Sequence, residues 1–141
     1  QSGLLGVSGI SADMRRLREE AGKGNEDARR AIAQFTHRVV RESGALVACL
    51  GGLDVLAFSG GIGENDAALR TQVCDQLGWM GVRMDAARNA GVPGDAAHAI
   101  HAEGSAVEVW VVPTDEGRVA AREAARLLHP ADDAGAMENN R

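Results

Sequence analysis

The sequence contains no apolar run approaching the roughly 18 to 20 residues that a membrane-spanning helix requires. It also lacks the basic segment, apolar stretch and small-residue cleavage site of a secretory leader. These absences set the expectation of a soluble, cytoplasmic protein. Basic excess is missing too. The formal net charge is -5, whereas a nucleic-acid surface needs clustered Lys and Arg against phosphate, so no nucleic acid is expected as a partner. Arg15, Arg16 and Arg18 do cluster, but Glu19 and Glu20 follow at once, and the group reads equally as a solvated helix face or an anion site. Of the 2 cysteines, Cys49 and Cys74, neither shows the paired spacing of a zinc or redox site. Both fall inside apolar helical patterns and are expected to be buried structural thiols. His98, His101 and Glu103 lie in a turn-rich stretch without helical period, and no metal site is expected there.

What is present is 141 residues with 45% hydrophobic and 25% charged side chains, in the range of one compact domain or a piece of a larger one. With Gln1 at its head and ordered apolar sequence following directly, the chain is expected to belong to a longer protein. Ser11 is placed to cap a short helix over residues 12–20, with Asp13 in its first turn and Gly22 and Gly24 ending it. A long amphipathic helix is predicted over residues 26–50, capped by Asn25. Its stripe is Ala28, Ile32, Phe35, Val39, Val40, Leu46, Val47 and Leu50, and it faces a core or a partner subunit.

Residues 54–59 form a short apolar run between glycine pairs, which suits a strand buried on both faces. Gly60-Gly61-Ile62-Gly63 follows as a loop, then a helix over residues 65–79 with Leu69, Val73 and Leu77 inward. An extended piece at 81–84, a second buried strand at 107–112 and a last helix over residues 116–128, capped by Asp115, complete the pattern. Residues 130–141 are polar, without period, and expected to be disordered. Strands alternating with helices define an α/β fold with at least one parallel pair, and further strands are expected upstream of Gln1.

Glycines between a buried strand and a helix let the backbone turn sharply and approach a ligand closely, and ligands gather at the carboxyl ends of strands in open α/β sheets. Gly61 to Asn65 therefore marks a candidate nucleotide site. A dinucleotide fingerprint is disfavoured because Asp66 stands where its third glycine would be, and a P-loop is excluded because no Gly-Lys-Ser or Gly-Lys-Thr occurs. A glycine turn serving only helix–sheet packing remains the alternative. Asp115 and Glu116, beyond the second strand, either hold Mg²⁺ or cap the helix that follows.

Four stretches in order carry a resemblance: Ser2 to Arg15, Cys49 to Asn65, Ala68 to Asn89, and Val111 to Glu116. Together they resemble the C-terminal portion of acetate kinases, members of the actin and sugar-kinase superfamily. The resemblance implies the C-terminal part, over residues 1–128, of an actin-like (ribonuclease H-like) ATPase domain, a mixed sheet with flanking helices. It implies that Asp13, Met14 and Arg15 lie against the adenosine of ATP, that Gly61, Ile62, Gly63, Glu64 and Asn65 form a second nucleotide-contacting loop, and that Glu116 helps hold Mg²⁺. Where the family reads Pro-Thr-Asn-Glu-Glu, this chain has Asp115 and Gly117, so Glu116 survives in altered surroundings. The implied reaction is reversible phosphoryl transfer from ATP to acetate, giving ADP and acetyl phosphate, in a homodimer. The family's acetate pocket and catalytic aspartate have no counterpart here. The chain alone is therefore expected to be inactive, and the resemblance leaves propionate as an alternative acceptor.

Overall fold

A computed structural model describes residues 3–114. Three helices lead: α1 (Leu4–Ser8), α2 (Met14–Gly22) and the 25-residue α3 (Glu26–Leu50). Then come β1 (Val55–Phe58), α4 (Gly60–Asn65), α5 (Ala67–Gln76), a 3₁₀ turn at Gly78–Met80, α6 (Ala86–Ala90), β2 (His98–Ala99) and β3 (Glu108–Val111). The last expected helix, its cap Asp115 and the polar tail lie outside the described residues.

Each start and stop has a local cause. Asn25 Oδ1 accepts from the Asp27 and Ala28 amides at 3.0 and 3.1 Å, satisfying first-turn donors of α3, and Gly51 closes that helix in the left-handed conformation at φ 75°. At α2 the expected cap moves. Asp13 is the capping residue and the helix begins at Met14, while Ser11 Oγ accepts from the Asp13 amide at 3.0 Å. Asp13 Oδ1 reaches the first-turn amide of Arg15 at 2.9 Å, and Ser11 is left to shape the approach.

The sheet order is β1-β3-β2. β1 and β3 run parallel, pairing Leu56 with Val109 and Phe58 with Val111, which is the parallel pair the alternating pattern implied. β2 is antiparallel to β3 and falls where a loop was expected. Two residues are too few to show a strand period. Ile100, fully buried just beyond β2, anchors it, its amide donating a hydrogen bond to Val109 O at 2.8 Å.

The expectation of a strand buried on both faces is corrected for β1. Phe58 is buried, but Val55 is 51% exposed. The face carrying Phe58, Val109 and Val111 packs against Leu69, Val73 and Leu77, whereas no described element covers the opposite face. A second core of Met14, Leu17, Ala28, Ala31 and Ile32 joins α2 to α3, and Phe35 and Ile62 pack against both cores. The long stripe of α3 is therefore packed only as far as Val39 and Val40, which are half-buried against the first core. Leu46 and Leu50 are exposed, and Cys49, expected buried, is exposed among them, whereas Cys74 is buried as expected. Helical period shows which residues share a face; it carries no information about where along the helix the neighbour stops.

Candidate functional site

The segment expected as a glycine loop is itself helical. Gly60 makes the sharp turn out of β1 at φ 73°, a conformation costly for residues bearing a Cβ, and α4 then runs from Gly60 to Asn65. Asp66 separates α4 from α5, so the helix expected over residues 65–79 starts at Ala67 and gives way to the 3₁₀ turn at Gly78–Met80. Its amide donates to Ile62 O at 2.9 Å, closing α4, while its Oδ1 accepts from the Leu69 amide at 2.9 Å and opens α5. The other carboxylate oxygen accepts from Arg18 Nε at 2.9 Å, across 48 residues of sequence. Arg18 and Asp66 side chains are 28% and 12% exposed, so this pair is shielded from water and is more than a surface ion pair.

That pair ties α2 to the α4–α5 junction, and between the two lies a groove of about 920 Å³. Of the residues singled out from sequence, Asp13, Met14, Arg15, Gly61, Ile62 and Asn65 line it, with Arg18 and Asp66 in addition. Apolar surface from Met14 and Ile62 is flanked by carboxylate, guanidinium and amide groups, a composition that suits a planar base with polar edges. Asp13 Oδ1 accepts from the Arg15 amide at 2.9 Å. This bond and the Arg15 guanidinium hold the carboxyl below its usual range. Asn65 Nδ2 donates to Gly61 O at 2.9 Å, which fixes its amide against the glycine turn. Arg18 Nη2 is buried without a hydrogen-bond partner among the described residues.

Gly63 and Glu64 sit elsewhere. A Cβ on Gly63 would touch the carbonyl carbon of Phe58 at 3.4 Å, an ordinary van der Waals contact, so this side of α4 lies directly on the end of β1. Glu64 Oε1 accepts from the Thr114 amide at 2.8 Å and from Thr114 Oγ1 at 2.7 Å. Those bonds hold its carboxyl below the ordinary range. Glu116, the expected Mg²⁺ ligand, lies outside the described residues. Among those that are described, no group of three His, Cys, Asp or Glu side chains could hold a metal ion. The described residues do not by themselves fit Mg²⁺.

Sequence reasoning missed the support beneath α4. Arg70 is 2% exposed, and its guanidinium bridges Gly63 O and Glu64 O, both at 2.8 Å, to the side-chain and backbone oxygens of Asn89 at 2.6 and 3.0 Å. Asn89 Nδ2 donates in turn to Ala67 O at 2.9 Å and Thr71 Oγ1 at 3.1 Å. The signal was available. Arg70 falls on the same stripe as Leu69, Val73 and Leu77, where a charged side chain has to find partners inside.

The fold is similar to those of solved acetate kinases. The structure aligns with an acetate kinase of Porphyromonas gingivalis at a TM-score of 0.79 and 40% identity, covering 90% of this chain and 32% of that one. With an acetate kinase of Entamoeba histolytica the TM-score is 0.82 at 29% identity, covering 91% and 34%. The fold is thus that of an actin-like α/β domain, represented here by a mixed three-stranded sheet and its helices. In sequence, the acetate kinase of Rhodopseudomonas palustris is 48% identical over 127 residues, covering 90% of this chain and 31% of the relative. The acetokinase family profile matches residues 1–122. The chain belongs to the acetokinase family, and it spans about 31% of the length of the relatives it matches.

Proposed function

We propose that this chain supplies the nucleotide-side wall of an acetate kinase. In the whole protein, an acetate oxygen attacks the γ-phosphorus of ATP, the bond to the β–γ bridging oxygen breaks, and acetyl phosphate and ADP leave. The observation that carries this reading is convergence: two segments far apart in sequence, Asp13 to Arg15 and Gly61 to Asn65, contribute six residues to one groove. Phosphoryl transfer depends mainly on positioning and charge stabilisation. The groove residues would perform the first task for the adenosine end. The family implies Mg²⁺ together with ATP, and Glu116 is the proposed ligand from this chain.

Similarity to a propionate kinase of Francisella tularensis, at 35% identity and a TM-score of 0.71, keeps the longer acid as a second acceptor. The exposed apolar end of α3, with Leu46 and Leu50, favours a homodimer through this region. Calorimetry of the full-length protein tests the central reading. ATP with Mg²⁺ is expected to bind and NAD is not; binding of NAD without ATP would contradict it.

A further inference from the structure

The carboxylate of Glu64 makes a bond pair that the nucleotide groove does not explain. Glu64 belongs to α4, next to Asn65 of the groove wall, but its Oε1 receives both the amide and the hydroxyl of Thr114, 50 residues away. Thr114 stands just past the end of β3, whose register with β1 is fixed through Phe58 and Val111. The Val112 amide donates to Phe58 O at 2.8 Å, which carries the pairing one residue beyond the strand. The chain therefore leaves the sheet alongside β1 and is caught immediately by α4.

The backbone of Glu64 is held as firmly as its side chain. Its carbonyl, with that of Gly63, accepts from the buried Arg70 guanidinium at 2.8 Å. A carboxylate taking an amide and a hydroxyl on one oxygen makes two charge-assisted bonds, which are shorter and stronger than neutral ones. A carboxylate whose task was to meet the anionic end of a nucleotide would repel it. One that fixes a neighbouring segment has no such conflict.

We propose that Glu64 is a positioning residue: its carboxylate fastens the exit of β3 at Thr114 to helix α4, setting the spacing between the groove wall and the chain that continues to Asp115 and Glu116. Arg70 fixes where Glu64 stands and Glu64 fixes where Thr114 stands. A relay from the α5–α6 interior thus reaches the strand exit through two side chains. The consequence for catalysis rests on the kinase reading; the fastening itself does not.

The test has two arms on the full-length protein. In the first, hydrogen exchange at the Thr114 amide reads the bond directly. Glu64→Gln keeps an acceptor oxygen in place and is expected to retain protection, whereas Glu64→Ala is expected to speed exchange by about tenfold, the signature of lost local protection. Equal exchange in wild type and Glu64→Ala would overturn the proposal whether or not the protein is a kinase. In the second arm, Thr114→Val removes the hydroxyl and Thr114→Ser restores it. Because misplacement near a reacting centre costs up to about a hundredfold, Thr114→Val is expected to lower kcat by about tenfold with KM for ATP within about twofold, and Thr114→Ser to recover most of the loss. A Thr114→Val enzyme with unchanged kcat, or a serine variant as impaired as the valine one, would overturn the positioning role. Absence of kinase activity in the wild type would instead overturn the kinase reading, leaving the exchange result standing.

Discussion

Arg70→Met would remove the guanidinium while keeping an unbranched stem of similar reach, and the structure sets the cost. Arg70 makes four bonds to oxygen, and two of the acceptors belong to Asn89, which is 4% exposed. Burial pulls the guanidinium pKa down from its ordinary value, with the Asp66 charge opposing. Arginine nevertheless stays protonated, so the bonds in the wild type are charge-assisted. In the variant both Asn89 oxygens lose their donor in a site that water does not reach freely. At about 1–3 kcal/mol for each buried polar atom left unsatisfied, the loss comes to about 3 kcal/mol. The Gly63 and Glu64 carbonyls lie at the half-buried C-terminal end of α4 and regain water, so they add little. A loss of that size shifts the folding equilibrium more than about a hundredfold. In urea, with a slope of about 1.5 kcal/mol/M for a domain of this size, the unfolding midpoint should fall by about 2 M at constant slope. Arg70→Lys, which keeps the charge but cannot span four acceptors, should fall between wild type and Arg70→Met. A midpoint for Arg70→Met within about 0.5 M of the wild type would refute the claim that this side chain holds α4 to α5 and α6.

Gly61 and Gly63 should respond in opposite ways. A Cβ on Gly61 meets nothing within 4 Å and Gly61 lines the groove, so Gly61→Leu should leave the unfolding midpoint unchanged and weaken ATP binding by about tenfold. At Gly63 a Cβ alone would already touch Phe58 at 3.4 Å, so the γ-methyls of Gly63→Val crowd the end of β1 and should cost about 1–3 kcal/mol of stability, read by the same denaturation; a stable Gly63→Val with selectively weakened ATP binding would reverse the two assignments. For the cysteines, burial pushes the Cys74 thiol up from 9.0 to about 12, while Cys49 is exposed. Iodoacetamide near neutral pH should therefore label Cys49 alone until denaturant is added, as mass spectrometry would report, and equal labelling would contradict the packing of α5. Because the folded state holds the Cys74 proton more tightly than the unfolded state, the thiol's contribution to stability is complete below pH 9.0 and is lost as pH rises toward about 12.

The parts of this fold that were legible in the sequence are those governed by short-range chemistry. Asn25 and Gly51 bound α3 because a side-chain acceptor and a left-handed glycine are local devices, and the Gly60 turn out of β1 is of the same kind. The Gly61 to Asn65 wall of the groove was legible from its glycines and its place after β1, the Asp13 to Arg15 wall only through the family resemblance, and what joins them not at all. Arg18 and Asp66 are ordinary surface types in one dimension, and their bond across 48 residues exists only because Ile62 brings α4 against α2. Ser11 and Asp13 show the limit even of local rules, since both are good caps two residues apart and the competition is decided by which acceptor reaches the free amides. Glycine was the most ambiguous letter. Gly61 and Gly63 read identically as loop residues, yet one faces open groove and the other the backbone of Phe58. Their different meanings follow from α4 being a helix, in which residues two apart point in different directions; as a loop, the segment would have allowed both to approach a ligand. The helical state of α4 is itself non-local. A run with three glycines has poor helix propensity, and what holds it is Arg70 on its last carbonyls and Ile62 wedged between two cores. Those contacts come from residues whose partners the sequence order does not reveal.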